Sequence, residues 1–339
     1  MKNAILRFAA RTTCKLPTPI LRMLSGPPIE IDGQKLDPLV NFMVKNFTDP
    51  PGVIPPIKQK REDYDTKAHW LAYPLSRDVP ITTHVFDGPN GPINCEIHRP
   101  KDLPEKAPVF VFYHGGGHAM GSLVTHREVC NKIALDVGCA VLAVDYRMSP
   151  EHQFPVGIND CLAAYDGVAA QAAKLGFDPD RISVGGDSAG GNISAVVAQQ
   201  RKNANHPPKF QMLWVPWVDL SKQARSYELF DLGFLLEKPE MEWYTEHYLR
   251  TEADALDPMA SPLLGNVEGV CPAALMIAGF DPLRDEGLAY GEKLKKAGVR
   301  ADVRLKKDLV HPFIHFAKNV PAAQRAYEEV VQILRENIL

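Results

Sequence analysis

No run of basic residues stands out in this chain. Its 339 residues carry 38 Lys and Arg against 41 Asp and Glu, a formal charge of −3. A nucleic-acid partner requires a concentrated positive surface, so that class drops out. The six cysteines, Cys14, Cys95, Cys130, Cys139, Cys161 and Cys271, include no C-x-x-C pair. That spacing excludes zinc-ribbon and dithiol redox chemistry, and the thiols read as reduced and mostly buried. No uncharged apolar stretch approaches the roughly 18 residues of a membrane span. Residues 1–24 are interrupted by Arg7, Arg11, Lys15 and Arg22 and by Pro17 and Pro19, so they read as amphipathic and not as an export signal. The expectation is a soluble, cytoplasmic protein without stable membrane insertion. Neither a G-x-G-x-x-G nor a G-x-x-x-x-G-K-[ST] loop occurs, which argues against a nucleotide cofactor. No internal repeat or low-complexity tract is present.

What is present suits a globular domain, with 45% hydrophobic and 23% charged residues. The Pro-Pro-Gly-Val-Ile-Pro-Pro stretch over 50–56 cannot continue a helix, because each proline removes an N–H and restricts the residue before it. Turn residues over 87–92 join two strand-like runs between 81 and 100. From there strand and helix alternate. Apolar strands are expected over 108–113, 139–146, 181–184, 210–218, 273–279 and 300–305, and helices over 125–137, 158–175, 189–200 and 288–297. Such alternation predicts right-handed β-α-β crossovers and a mostly parallel sheet covered on both faces. A closing helix over 321–337 sets Tyr327, Val330, Val331 and Leu334 on one stripe. Residues 221–264 break the rhythm and read as a helical insertion. The division expected is an N-terminal part of a cap over 1–60, a catalytic domain over 61–220 and 265–339, and a cap insertion over 221–264.

The pentapeptide Gly186-Asp187-Ser188-Ala189-Gly190 directly follows a strand and opens a helix. A serine on so tight a turn is lifted clear of the sheet edge, and the helix N-terminus sets partial positive charge beside it. Upstream, His114-Gly115-Gly116-Gly117 ends another strand at the same carboxyl edge, where backbone amides can point into a cavity and stabilise an oxyanion. A serine nucleophile needs a base and an orienting acid, in the chain order serine, acid, histidine for this arrangement. Asp281, after the strand over 273–279, and His311, after the last strand, fit that order; Asp285 and His315 are the competing acid and base. Asp145, Tyr146, Arg147 and Glu151 read as a hydrogen-bonded brace behind the elbow. Trp214 and Trp217 are either core or the wall of an acyl pocket.

Together these segments resemble the hormone-sensitive-lipase-like branch of α/β-hydrolase esterases, over about residues 80–335. The resemblance rests on His114-Gly-Gly-Gly117, Asp145-Tyr-Arg-Met-Ser-Pro-Glu-His152, Gly186-Asp-Ser-Ala-Gly-Gly191, Asp281-Pro-Leu-Arg-Asp-Glu286 and His311-Pro-Phe313. It implies an α/β-hydrolase fold with a helical cap and Ser188 as nucleophile, His311 as base and Asp281 as acid. The amides of Gly115, Gly116 and Ala189 would form the oxyanion hole, and neither metal nor cofactor is implied. Two positions depart from the family pattern: Pro312 stands where glycine commonly follows the histidine, and His118 where a bulky aromatic is common. The expected substrate is a small-molecule ester of short to medium acyl length. An amidase, lactonase or deacetylase with the same triad, or a ligand-binding protein on a hydrolase scaffold, are the alternatives. The family also implies a homodimer formed through the outermost strand, near 300–305.

Overall fold

The computed structural model describes residues 12–46 and 52–339. The first eleven residues of the amphipathic segment and the first two of the 50–56 break lie outside the described residues. Helices α1 (Thr18–Ser25) and α2 (Pro38–Asn46) flank a two-stranded ribbon of β1 (Glu30–Ile31) and β2 (Gln34–Lys35). Helix α3 (Ile57–Lys67) follows the proline-rich break. The turn residues over 87–92 then do what their composition predicts: β3 (Ile81–Gly88) and β4 (Gly91–His98) pair antiparallel, with Gly88 opposite Gly91.

Beyond them strand and helix alternate as β5 (Ala107–Tyr113), α4 (Leu123–Val137), β6 (Ala140–Asp145), α5 (Val156–Leu175), β7 (Phe177–Asp187), α6 (Ala189–Gln200) and β8 (Gln211–Trp214). The insertion contributes α7 (Ser226–Leu229), α8 (Lys238–Tyr248) and a 3-10 turn over Glu252–Leu256. The chain then closes with β9 (Ala273–Phe280), α9 (Arg284–Lys296), β10 (Ala301–Val310) and α10 (Pro321–Ile338). The eight-stranded sheet runs β10-β9-β8-β7-β5-β6-β4-β3, parallel from β10 to β6 and antiparallel over β4 and β3.

Continuous apolar runs give strands buried on both faces: every residue of β5 and of β9 is buried. On one face Phe110, Phe112, Trp214 and Met276 pack with the α10 stripe of Tyr327, Val330, Val331 and Leu334. On the other, Val109, Val111 and Tyr113 meet Ile158 and Tyr165 of α5 and Ile193 of α6. Each such side chain, fully buried, contributes about 1.5–3 kcal/mol. No helix among the described residues is long and apolar enough to cross a membrane.

Three strand lengths differ from the expectation, and β7, expected over 181–184, runs over Phe177–Asp187. The run over 210–218 pairs only as far as Trp214, because Val215 turns to φ 40° and Pro216 has no N–H to offer a ladder. The last strand continues past 305 to Val310, which pairs with Phe280 after a register shift. That extension sets His311 at the strand's end. Strand β5 lies between β6 and β7, so the chain leaves it in one direction and returns on the other side. The loops after β5 and β7 therefore flank a crevice at the carboxyl edge of the sheet.

Candidate active site

Strand β7 stops at Asp187 and α6 starts at Ala189, which leaves Ser188 alone to make the turn, at φ 55° and ψ −118°. An L-residue in that region costs of order 1–3 kcal/mol and persists only where neighbours fix it. Here Ser188 N–H donates to the Trp214 carbonyl at 2.8 Å, and the Ser188 carbonyl accepts from the N–H groups of Asn192 (3.0 Å) and Trp217 (3.2 Å). The flanking glycines are required by close approach: a Cβ on Gly186 or on Gly190 would fall onto the Tyr113 carbonyl oxygen. Ser188 itself is 7% exposed, at the floor of the crevice.

Asp281 and His311 are the first residues after β9 and β10, neighbouring parallel strands whose ends are paired through Phe280 and Val310. They consequently emerge side by side. His311 Nδ1 lies 2.9 Å from Asp281 Oδ2, and Asp281 Oδ1 accepts the Leu283 N–H at 2.8 Å. Both side chains are buried. The competing residues are engaged elsewhere. Asp285 accepts the Ser226 N–H at 3.0 Å and pairs with Arg284 at 2.7 Å. His315 Nε2 sits 3.0 Å from the Tyr64 hydroxyl.

The glycine loop differs from its expected role in one residue. Gly115, anticipated as an oxyanion donor, gives its N–H to Asp187 Oδ1 at 3.1 Å and has none left for a ligand. Among the described residues, no acceptor engages the N–H groups of Gly116, Gly117 or Ala189. Gly116, at φ 122°, adopts a backbone that only glycine tolerates readily.

The expected polar brace grips this loop instead of the elbow. The Tyr146 hydroxyl donates to the His114 carbonyl at 2.7 Å, and Ser149 N–H to the His118 carbonyl at 2.8 Å. Arg147 pairs with Asp160 at 2.9 Å. A residue that the sequence did not single out, Arg61 on α3, completes the grip. Its guanidinium donates to the carbonyls of Ala119 and Ser149 and to both oxygens of Glu151, each at 2.8 Å.

Electrostatics around the elbow are set by burial. Burial pushes His114 and His118 down to about 3, so both rings are neutral at ordinary pH. The His118 ring stacks flat on Tyr248 at 4.0 Å and leans on Trp217. Burial alone would raise the Asp187 carboxyl, but the facing His126 and His315 outweigh it and hold the carboxyl well below the usual carboxylate range. His126 Nε2 lies 3.2 Å from Asp187 Oδ1. Neither His126 nor Tyr64 carried a signal in its local sequence. Trp214 is core, against Phe110 and Phe112. Trp217 lines a cavity of about 640 Å³ together with Leu220, Tyr227, Met241 and Leu249.

Known proteins resemble this chain in both sequence and structure. A family model described as alpha/beta hydrolase fold matches residues 110–315. The carboxylic ester hydrolase LipN of Mycobacterium tuberculosis is 37% identical, over 100% of this chain and 93% of its own. The ethyl acetate hydrolase of Pseudomonas putida is 35% identical, over 77% of this chain and 82% of its own. Among solved structures, the Pyrobaculum calidifontis esterase superposes with a TM-score of 0.83 at 32% identity, covering 89% of this chain and 98% of that one. With a family matched over more than half its length and relatives this similar along nearly all of it, the chain belongs to the α/β-hydrolase family, among the carboxylesterases of the hormone-sensitive-lipase-like branch.

Proposed function

We propose that the chain hydrolyses carboxylic esters by two-step acyl transfer, with Ser188 as nucleophile, His311 as general base and Asp281 as the acid that orients it. The observation that carries this reading is the 2.9 Å contact from His311 Nδ1 to Asp281 Oδ2, at the edge where the Ser188 turn emerges. With Nδ1–H donated to the carboxylate, His311 keeps Nε2 as acceptor for the serine proton, and Asp281 stabilises the imidazolium as it forms. Attack of Ser188 Oγ on the ester carbonyl creates an oxyanion. The N–H groups of Gly116, Gly117 and Ala189 receive it, each donor contributing about 3 kcal/mol. Gly117 thus takes the place expected of Gly115. Collapse of the intermediate expels the alcohol, protonated by His311, and water activated by the same histidine then frees the acid from Ser188.

The likeness to an ethyl acetate hydrolase supports substrates of short to medium acyl length, while none of Ser188, Asp281 and His311 lines the Trp217 cavity. Its wall is built largely from the insertion, and α3 adjoins that insertion through the Lys60–Glu240 ion pair. This supports a cap made from both regions. Because α3 runs on to Lys67, the proposed cap boundary moves from residue 60 to the end of that helix. Strand β10 is one of the two outer strands of the sheet, which supports dimerisation along it, checked by light scattering in solution. All six cysteines are free, which suits a reducing cytoplasm.

The test is an acyl-chain series of p-nitrophenyl esters with Ser188→Ala as control. A rate maximum at short or medium chains is expected, with kcat lowered about 10⁶-fold in the variant. Activity in Ser188→Ala within tenfold of the parent would sink the triad. A faster rate on matched amides would favour an amidase, and failure of an organophosphonate to label Ser188 would favour a ligand-binding protein.

A further inference from the structure

Beside the elbow, four polar side chains from four separate segments converge. His126 comes from α4, Asp187 from the end of β7, His315 from the 3-10 turn after His311, and Tyr64 from α3. One ligand atom from each of His126, Asp187 and His315 lies within 4.8 Å of the others. His126 Nε2 is 3.2 Å from Asp187 Oδ1, His315 Nε2 is 3.9 Å from Asp187 Oδ2, and the Tyr64 hydroxyl is 3.0 Å from His315 Nε2.

The hydrogen bonds around His126 fix which ring nitrogen faces the carboxylate. His126 Nδ1 lies 2.7 Å from the Thr125 hydroxyl, so Nε2 is the atom turned to Asp187. Two imidazole nitrogens and one carboxylate oxygen form a donor set suited to zinc and neighbouring first-row divalent ions. Access exists as well: His315 and Tyr64 line an apolar cavity of about 220 Å³, with Leu71, Pro312 and Phe316 in its wall.

The geometry points to a binding site for a zinc-class divalent cation formed by His126, Asp187 and His315, with Tyr64 bordering the fourth position. His315 closes onto the ion by about 1 Å, since ligand atoms in a tetrahedral zinc site stand roughly 3.3 Å apart. Asp187 Oδ2 takes the ion while Oδ1 keeps the Gly115 N–H. Occupancy thereby links α3, α4, the elbow and the turn after His311, and it acts on the glycine loop through Asp187. This goes beyond ester hydrolysis, which uses none of these side chains directly.

The experiment uses the full chain, stripped with chelator and titrated with Zn²⁺ by equilibrium dialysis and with Co²⁺ by visible absorption. Uptake of one ion per chain below 100 µM is expected, with the strong visible bands of four-coordinate Co²⁺ and a rise in Tm on loading. His315→Phe should weaken uptake about 100-fold and Tyr64→Phe about 10-fold, the range expected for ligand-supporting groups. His206→Gln, which removes a partly exposed histidine paired with Asp180, should change nothing. No stoichiometric uptake at 100 µM, the weak bands of six-coordinate Co²⁺, or unchanged affinity in His315→Phe would each overturn the site. Should His315→Phe not melt cooperatively, His315→Gln carries the same expectation, because its amide can still accept from Tyr64.

Discussion

His311 and His126 each stand against a buried aspartate, and they present different ring nitrogens to it. His311 meets Asp281 through Nδ1 and retains Nε2. His126 meets Asp187 through Nε2, while its Nδ1 is tied to Thr125. One pair therefore has a nitrogen left for proton transfer and the other has none. The aspartates differ in the same way. Asp281 accepts one further N–H, from Leu283 beside it in the chain, whereas Asp187 reaches across to Gly115 and fixes the loop that faces the nucleophile. Equal composition thus yields a base in one pair and an anchor in the other, and the deciding variable is which atom of each ring the strand ends present.

The largest effect that separates the pairs is expected from their aspartates. Asp281→Asn should lower kcat about 10⁴-fold with KM little changed, because the amide favours the wrong tautomer of His311. Asp187→Asn removes a charge-assisted anchor worth about 1.5–3 kcal/mol, which corresponds to a 10- to 100-fold loss. Steady-state kinetics on one activated ester measures both. If Asp187→Asn proved the more damaging, the assignment of base and anchor would have to be exchanged.

A third histidine sharpens the contrast by having only a distant carboxylate beside it. His98, fully buried on β4, has neither nitrogen hydrogen-bonded among the described residues, and Glu96 is 3.7 Å away. Burial lowers it from 6.5 to about 4. Below pH 6.5 the unfolded chain takes up a proton that the folded chain refuses. The stability His98 contributes is therefore complete above pH 6.5 and is lost as pH falls toward 4, at about 1.4 kcal/mol per unit. Urea unfolding at pH 6.5 and pH 5 should differ by about 2 kcal/mol less in His98→Phe than in the parent. An identical pH dependence in the two proteins would mean that His98 finds a partner on protonation.

How much of this was legible beforehand follows from the range over which each feature is determined. The elbow, the glycine run and the order serine, aspartate, histidine are local spacings, and they announced the fold and the residues brought to one sheet edge. Other features depend on partners far along the chain. Lys306, Lys307 and Asp308 read as a loop, yet they lie within β10, beside β9, and that pairing decides where His311 emerges. Which glycine amides remain free depends on Asp187, 72 residues from Gly115. The short pairing of β8 depends on the backbone turn at Val215, which an apolar run does not reveal.

Arg61 is the extreme case of such distant dependence, and it supplies the smallest expected effect. Helix α3 buries none of its own residues, so its sequence looks like a solvated surface helix. Its arginine nevertheless reaches acceptors 58 to 90 residues away and holds the segment that follows the free amides of Gly116 and Gly117. The pairing with Glu151 is partly exposed, so its charge contributes little to stability. The two carbonyl contacts matter more, because they fix backbone next to the oxyanion donors. Arg61→Ala should leave Tm within a few degrees and lower kcat about 3- to 10-fold, as expected from roughly 1 kcal/mol of lost positioning. Arg61→Lys, which cannot span both carbonyls and the carboxylate, should recover little of it. Full recovery by lysine would reduce Arg61 to a point charge and leave the anchoring of the glycine loop to Asp187 and Tyr146.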